Sequence, residues 1–256
     1  MGLSVRVFSL LTKQIVKNTC SSLPHFPCRQ THQKEGRMVD LAKKQSISLA
    51  KQDGGKLTKV VMGLGWDAVQ VEQETKKGGW IRRAMAELTA PVANSIDLDA
   101  SVGLFDANKK LLETVYFGRQ TGAGGAVQHG GDNLTGEGEG DDEVIGVDLE
   151  KLPASVHTLV FTVSSFRGQK FADVDNAFCR LVDTSNTAAR DPNVAIGAGK
   201  ELAKFALTSD SDCKSATGMV MATVFRDGTG WKMTAHGLPG SGRTIADLNS
   251  VIQAAL

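Results

Sequence analysis

The sequence predicts an all-β fold: an antiparallel β-sandwich with a short C-terminal helix and one helical insertion. Apolar residues recur mostly in short runs of period two, as strands with one buried face require. Turn chemistry separates these runs, for example at Asp106-Ala107-Asn108 and Arg226-Asp227-Gly228-Thr229-Gly230. Helices between consecutive strands, which a parallel α/β sheet needs, are missing from most of the chain.

Beyond Met38 the strands fall at 46–50, 57–63, 96–105, 111–117, 144–149, 156–165, 176–183, 202–207, 217–225 and 230–235. The third is the most regular. Ile96, Leu98, Ala100, Val102 and Leu104 share one face, and Asp97, Asp99 and Ser101 share the other. The two turns named above join neighbouring strands as hairpins. Between the second and third strands an insertion of about residues 68–95 carries Trp80, Ala84, Met85 and Leu88 at helical spacing over 80–89. Cys179 alternates with Ala177 and Leu181, the pattern of a small core hydrophobe. At the end, Thr244-Ile245-Ala246-Asp247 reads as a capping box, and Ile245, Leu248, Ile252 and Leu256 form an apolar stripe suited to packing on the sandwich.

With 256 residues and 27.2 kDa, the chain can bury a substantial core. Its 41% hydrophobic and 22% charged content is that of a soluble globular protein. The net charge of +1 conceals an asymmetry. Residues 1–37 hold Arg6, Lys13, Lys17, Arg29, Lys34 and Arg37 against Glu35 alone, so the remainder is acidic at −4. An acidic body argues against nucleic acid as a partner. The four cysteines, Cys20, Cys28, Cys179 and Cys213, lack zinc spacing and suit a reduced, cytoplasmic setting. No run approaches the roughly 18 apolar residues of a membrane span. The domain division expected is therefore an extension over 1–37, either disordered or preceding a true start at Met38, and one domain over 38–256. A mitochondrial-type presequence is the rival for the extension, on composition only.

Between Arg119 and Lys151 there is no Lys or Arg, and six carboxylates fall within residues 132–143 among several glycines. Like charges this close oppose compaction. The natural counter-charge is calcium, which gathers six to eight oxygens from carboxylates, amides, backbone carbonyls and water. Asp97 and Asp99 would emerge on the same side of their strand, about 6.6 Å apart, near enough to flank an ion. The loop is not an EF-hand, because Leu134 and Gly136 stand where the third and fifth positions of such a loop need ligands. Any site must be gathered from separate segments.

Rival chemistries are weaker. Gly63-Leu64-Gly65-Trp66-Asp67-Ala68 mimics a dinucleotide fingerprint, yet Val69-Gln70-Val71-Glu72-Gln73-Glu74 has no helical apolar face to follow it. A metal-dependent hydrolase would need its carboxylates to hold a catalytic ion. His129 is expected to be a solvated loop histidine, since no Ser or Cys nucleophile in a recognisable setting accompanies it. A calcium-dependent membrane or adhesion module is the other alternative.

Four segments occur in the same order as in the TerD family of tellurium-resistance and stress proteins, which this chain resembles over about residues 39–253. They are Gly63-Leu64-Gly65-Trp66-Asp67, Asp97-Leu98-Asp99-Ala100-Ser101, the loop from Gly131-Asp132-Asn133 to Glu143, and Asn176-Ala177-Phe178. The stretch 156–183, with Ser164-Ser165-Phe166-Arg167-Gly168-Gln169-Lys170-Phe171, is similar to the TerZ or TerX branch. The resemblance implies a cytoplasmic, non-catalytic calcium-binding sandwich that acts as an ion-ordered interaction module. Its implied partners are other stress-response proteins and membrane-associated complexes. The implied ligands are Asp67, Asp97, Asp99, Asp132, Asn133, Glu139, Asp141, Asp142 and Asn176, with backbone carbonyls from Thr135 and Gly138. Two features depart from the shortest family pattern: the 68–95 insertion and the 37-residue extension.

Overall fold

Period-two patterning becomes two packed sheets in the computed structural model, which describes residues 39–40, 46–49, 57–68, 97–133, 140–206 and 213–256. All of these belong to one unit, Arg37–Leu256. Strands are numbered in chain order. One sheet runs β1 (Val39–Asp40), β11 (Lys200–Ala206), β10 (Val174–Asp183), β3 (Lys59–Ala68), β8 (Glu143–Asp148), β7 (Val127–His129), β6 (Thr121–Gly122). The other runs β2 (Ser46–Ser48), β13 (Gly230–Gly240), β12 (Gly218–Asp227), β9 (Thr158–Ser165), β4 (Leu98–Phe105), β5 (Leu111–Val115). Apart from the parallel contact of β1 with β11, these strands pair antiparallel.

Alternation decides which side chains meet between the sheets. β3 sends Val60, Met62, Leu64 and Trp66 inward, where they join Leu98, Ala100, Val102 and Leu104 of β4 and Leu159, Phe161 and Val163 of β9. Each such large apolar side chain stabilises the fold by about 1.5–3 kcal/mol through removal from water. Cys179 lies in this core with Ala177 and Leu181, as the alternation predicts. Two short helices seal the outer faces. Helix α1 (Pro192–Ala198) starts at Asp191, whose carboxylate accepts the Asn193 N–H, and it lays Ala195 and Ile196 on Val61, Val144 and Val182 of the seven-stranded sheet. A 3-10 turn, Ile245–Leu248, leads into helix α2 (Asn249–Ala255), and Leu248 of the turn and Ile252 of the helix are buried against Phe105, Val160 and Val220 of the six-stranded sheet.

The capping box forms as expected, with the Asp247 carboxylate accepting the Thr244 N–H and hydroxyl, each at 3.0 Å. Both expected hairpins are present, β4 to β5 and β12 to β13. The structure adds β1, β6, β7 and α1, which the sequence reading omitted. These pieces are two, two, three and seven residues long, too short for a period to emerge. The 80–89 helix and the 1–37 extension lie outside the described residues.

Candidate metal centre

β5 pairs with β4 only from Val102 to Phe105, so among the described residues the backbone of Leu98–Ser101 has no strand partner on that side. Two buried side chains from the opposite sheet take its place. The Ala100 N–H donates to Glu143 Oε2 at 2.6 Å, and the Ala100 carbonyl lies 3.1 Å from His129 Nε2. His129 Nδ1 accepts the Gly131 N–H at 3.1 Å, so the ring proton sits on Nε2 and Nε2 donates to Ala100. Glu143 Oε1 accepts the Asn133 N–H at 3.3 Å. Burial pushes the Glu143 carboxyl up, against the hydrogen bonds from His129, Ala100 and Asn133. His129 is thus not the solvated loop residue the sequence suggested. At 5% exposure it faces inward with Val127, two residues earlier on the same strand, and it joins the sheets.

This junction brings the residues that follow β7 to the start of β4. One carboxylate oxygen from each of Asp97, Asp99 and Asp132 lies within 4.8 Å of the others. Asp97 and Asp99 are 4% and 5% exposed, and Asp132 is open to solvent. Arg167, from the turn after β9, donates through Nε to Asp97 Oδ2 at 3.2 Å. Asp97 Oδ1 and Asp99 Oδ2 are buried and, among the described residues, without a hydrogen-bond partner. Burial, reinforced by the charges of Glu143, Asp97 and Asp132, pushes Asp99 up to about 8. Asp97 also moves up through burial, opposed by the Arg167 charge and assisted by Asp132.

Buried carboxylate oxygens without donors cost several kcal/mol unless a proton or cation satisfies them. The donor set fits a hard divalent ion. Two oxygens on a calcium sphere of 2.3–2.6 Å radius lie at most about 4.6–5.2 Å apart, a range that accommodates the trio.

The other candidate ligands are distributed differently. Asp142 Oδ2 accepts the Trp66 N–H at 2.8 Å and Oδ1 accepts Asn133 Nδ2 at 2.9 Å, pinning residues 131–133 to the end of β3. Burial raises the Asp142 carboxyl, against the Trp66 hydrogen bond and with the help of Asp67 and Asp141. Asp141 turns to Arg180, whose Nε stands 2.9 and 3.1 Å from its two oxygens, and Arg180 also reaches Glu201 at 3.1 Å. Gly63 makes that turn possible, since a Cβ there would come within 2.1 Å of Asp141 Oδ1. Asp67 is exposed and accepts Asn176 Nδ2 at 2.7 Å, where β10 bulges and Asn176 takes φ 51°. Asp67, Asp141 and Asn176 are therefore not members of the trio, while Thr135, Gly138 and Glu139 lie outside the described residues. Glu143 and Arg167 touch the site but escaped the sequence reading. Alternation with Ile145 and Val147 marks Glu143 as inward-facing, and that signal was available.

The TerD domain model matches residues 38–250. The chain belongs to the TerD family. Among its relatives, tellurium resistance protein TerZ of Serratia marcescens is 44% identical over 219 residues, covering 86% of this chain and 99% of that one. Stress response protein SCP2 of Bacillus subtilis (strain 168) is 36% identical over 221 residues, 83% of this chain and 98% of that one. The TerZ similarity agrees with the branch that residues 164–171 suggest. A solved homologue of telluride resistance protein (TerD) from Streptomyces coelicolor A3(2) superposes with a TM-score of 0.51 at 18% identity, covering 74% of this chain and 94% of that one. At that identity it speaks for the sandwich alone. Among the described residues no helix of this TerD-family chain is long and apolar enough to cross a membrane.

Proposed function

We propose that this TerD-family chain is a cytoplasmic, non-catalytic calcium-binding stress-response protein whose ion site orders a surface for partners. The observation that carries the reading is the pair of buried carboxylate oxygens, Asp97 Oδ1 and Asp99 Oδ2, left without donors beside Asp132. Asp97, Asp99 and Asp132 hold the ion, and the segment 134–139 is near enough in sequence to complete its coordination. Calcium supplies the positive charge that lets three clustered carboxylates stay ionised together. Arg167 holds Asp97 in place, and Glu143 with His129 fixes the backbone at Ala100, the residue after Asp99 in β4.

A partner surface adjoins the site. The Phe166 N–H donates to the Asp97 carbonyl at 3.2 Å, so the ligand segment and this aromatic are coupled through backbone. Phe166 is 46% exposed and meets Phe117 edge to face at 5.9 Å, and Phe117 meets Tyr116 likewise at 5.5 Å. An exposed aromatic ridge of this kind suits a protein partner, here another stress-response protein or a membrane-associated complex.

Calorimetric calcium titration of the full chain, with Asp99→Ala as control, tests the reading. Binding to the parent chain and at least a hundredfold loss in the variant are expected. Equal melting curves in calcium and in chelator would overturn it. At free calcium of 100 times the dissociation constant, linkage adds about 2.7 kcal/mol of stability.

A further inference from the structure

A cleft of about 430 Å³ opens on the outer face of the seven-stranded sheet, between β3, β8 and β7 and the chain from Thr184 to Ala195. It shares no residue with the aspartate trio. Its position follows from alternation: Val60 and Met62 are in the core, so Lys59 and Val61 face outward, as do Gly146 and Asp148 on β8 and Gln128 on β7. Helix α1 walls the cleft with Pro192 and Ala195. Gly146 allows that approach, since a Cβ there would stand 3.0 Å from the Pro192 Cβ.

The lining pairs apolar patches with a charge imbalance. Lys59, Lys151 and Arg190 line it against one carboxylate, Asp148, a surplus of two positive charges. Lys151 already serves Asp148, with Nζ at 2.7 Å and its backbone N–H at 3.2 Å. Lys59, opposite Asp148 in the sheet, also acts on that carboxylate through its charge, whereas Arg190 makes no ion pair among the described residues. Val61, Ala189, Pro192 and Ala195 provide the apolar part of the lining. A small-molecule site has this size and combines, as here, a concave wall with apolar patches and a few charged groups.

We propose that this cleft binds a small organic phosphate, its phosphoryl group held by Arg190 and Lys59 and its organic part lying on the apolar part of the lining. Charge matching selects the class. A phosphate monoester carries about −1.5 to −2 at neutral pH, whereas a single carboxylate would leave half the surplus unmet. The guanidinium fork of Arg190 suits phosphate oxygens in a two-point contact. The inference is independent of calcium at Asp97, Asp99 and Asp132.

The full chain, titrated by calorimetry with AMP, ribose 5-phosphate, glycerol 3-phosphate, inorganic phosphate and adenosine, provides the test. At least one of the three organic phosphates is expected to bind more tightly than inorganic phosphate or adenosine, with the same affinity in calcium and in chelator. Arg190→Ala and Lys59→Ala should each weaken it about tenfold, the effect of losing one charge-assisted contact, without lowering the melting temperature. Lys232→Ala, on β13 of the other sheet, should leave it unchanged. Failure of all three organic phosphates at millimolar concentration overturns the proposal. So does inorganic phosphate or adenosine binding as tightly as they do, or binding indifferent to both cleft substitutions.

Discussion

Asp99 has a carboxyl pushed up to about 8, and that displacement predicts how the metal-free protein responds to pH. The folded state favours the protonated acid, so its stabilising effect is complete below the ordinary carboxylate range near 4 and is lost as pH rises towards 8. His236, held down by burial, acts in the other direction only below about 6.5, and Asp148 and Asp247, both held low, act below about 4. Asp97, Asp142 and Glu143, also raised by burial, act in the same direction as Asp99, so between pH 6.5 and 8.5 these buried acids set the trend. Melting temperature in chelator should fall across this interval and flatten when calcium is added, as scanning calorimetry would register; a flat profile in chelator would contradict the burial argument. The neighbouring acid, Asp141, calls for a contrasting result. It is committed to Arg180, so Asp141→Asn should destabilise by about 1–3 kcal/mol, judged by urea unfolding, while calcium affinity changes only a few fold. Much of this site could be read in the sequence, because period two places Asp97 and Asp99 together without any knowledge of partners. Arg167 and Glu143 could not be assigned to it that way. Their roles depend on register, Leu98 opposite Ser165 in one case and the shortness of β5 in the other, and register is a property of paired strands.

Element by element, the sequence is most informative where a repeat is long. The eight residues of β4 and the eight of β9 declare themselves, whereas β6 and β7 are short and flank a glycine-rich bend in which Gly124 and Gly125 take positive φ. Helix α1 left a signal in Asp191-Pro192, an N-cap followed by proline in the first turn, but seven residues give no visible apolar stripe. The C-terminal helix did show its stripe, and the structure explains what it is for. Leu248 is fully buried between the six-stranded sheet and α2, against Phe105, Val160 and Val220. Leu248→Ala should cost about 2–5 kcal/mol, the usual range for emptying such a position. Leu111→Ala, on the edge strand β5 where the side chain is 51% exposed, should be close to neutral. Paired thermal melts of the two variants give the comparison, and equal losses would show that α2 is not anchored in this way.

Across the whole molecule, the two sheets share one core, and the candidate ion site sits where side chains of one sheet complete an edge of the other. Ion binding at Asp97, Asp99 and Asp132 should therefore favour the folded assembly as a unit. The core thiols offer a direct measure. Cys179 is fully buried and pushed up to about 12 by that burial, and Cys213 is buried in the same core. Neither presents a thiolate to solvent in the native state, so a thiol reagent reaches them only through opening. In a Cys20→Ser/Cys28→Ser variant, labelling by a water-soluble disulfide reagent should consequently follow the equilibrium population of the opened form. Adding calcium to 100 times its dissociation constant should slow labelling about a hundredfold, the kinetic image of the linkage free energy. The same ratio is expected for both thiols, since Cys179 on β10 of one sheet and Cys213, in the turn leading to β12 of the other, are buried in one cooperative core. Slowing at only one of them would mean that the ion secures a local segment and that the sheets open separately.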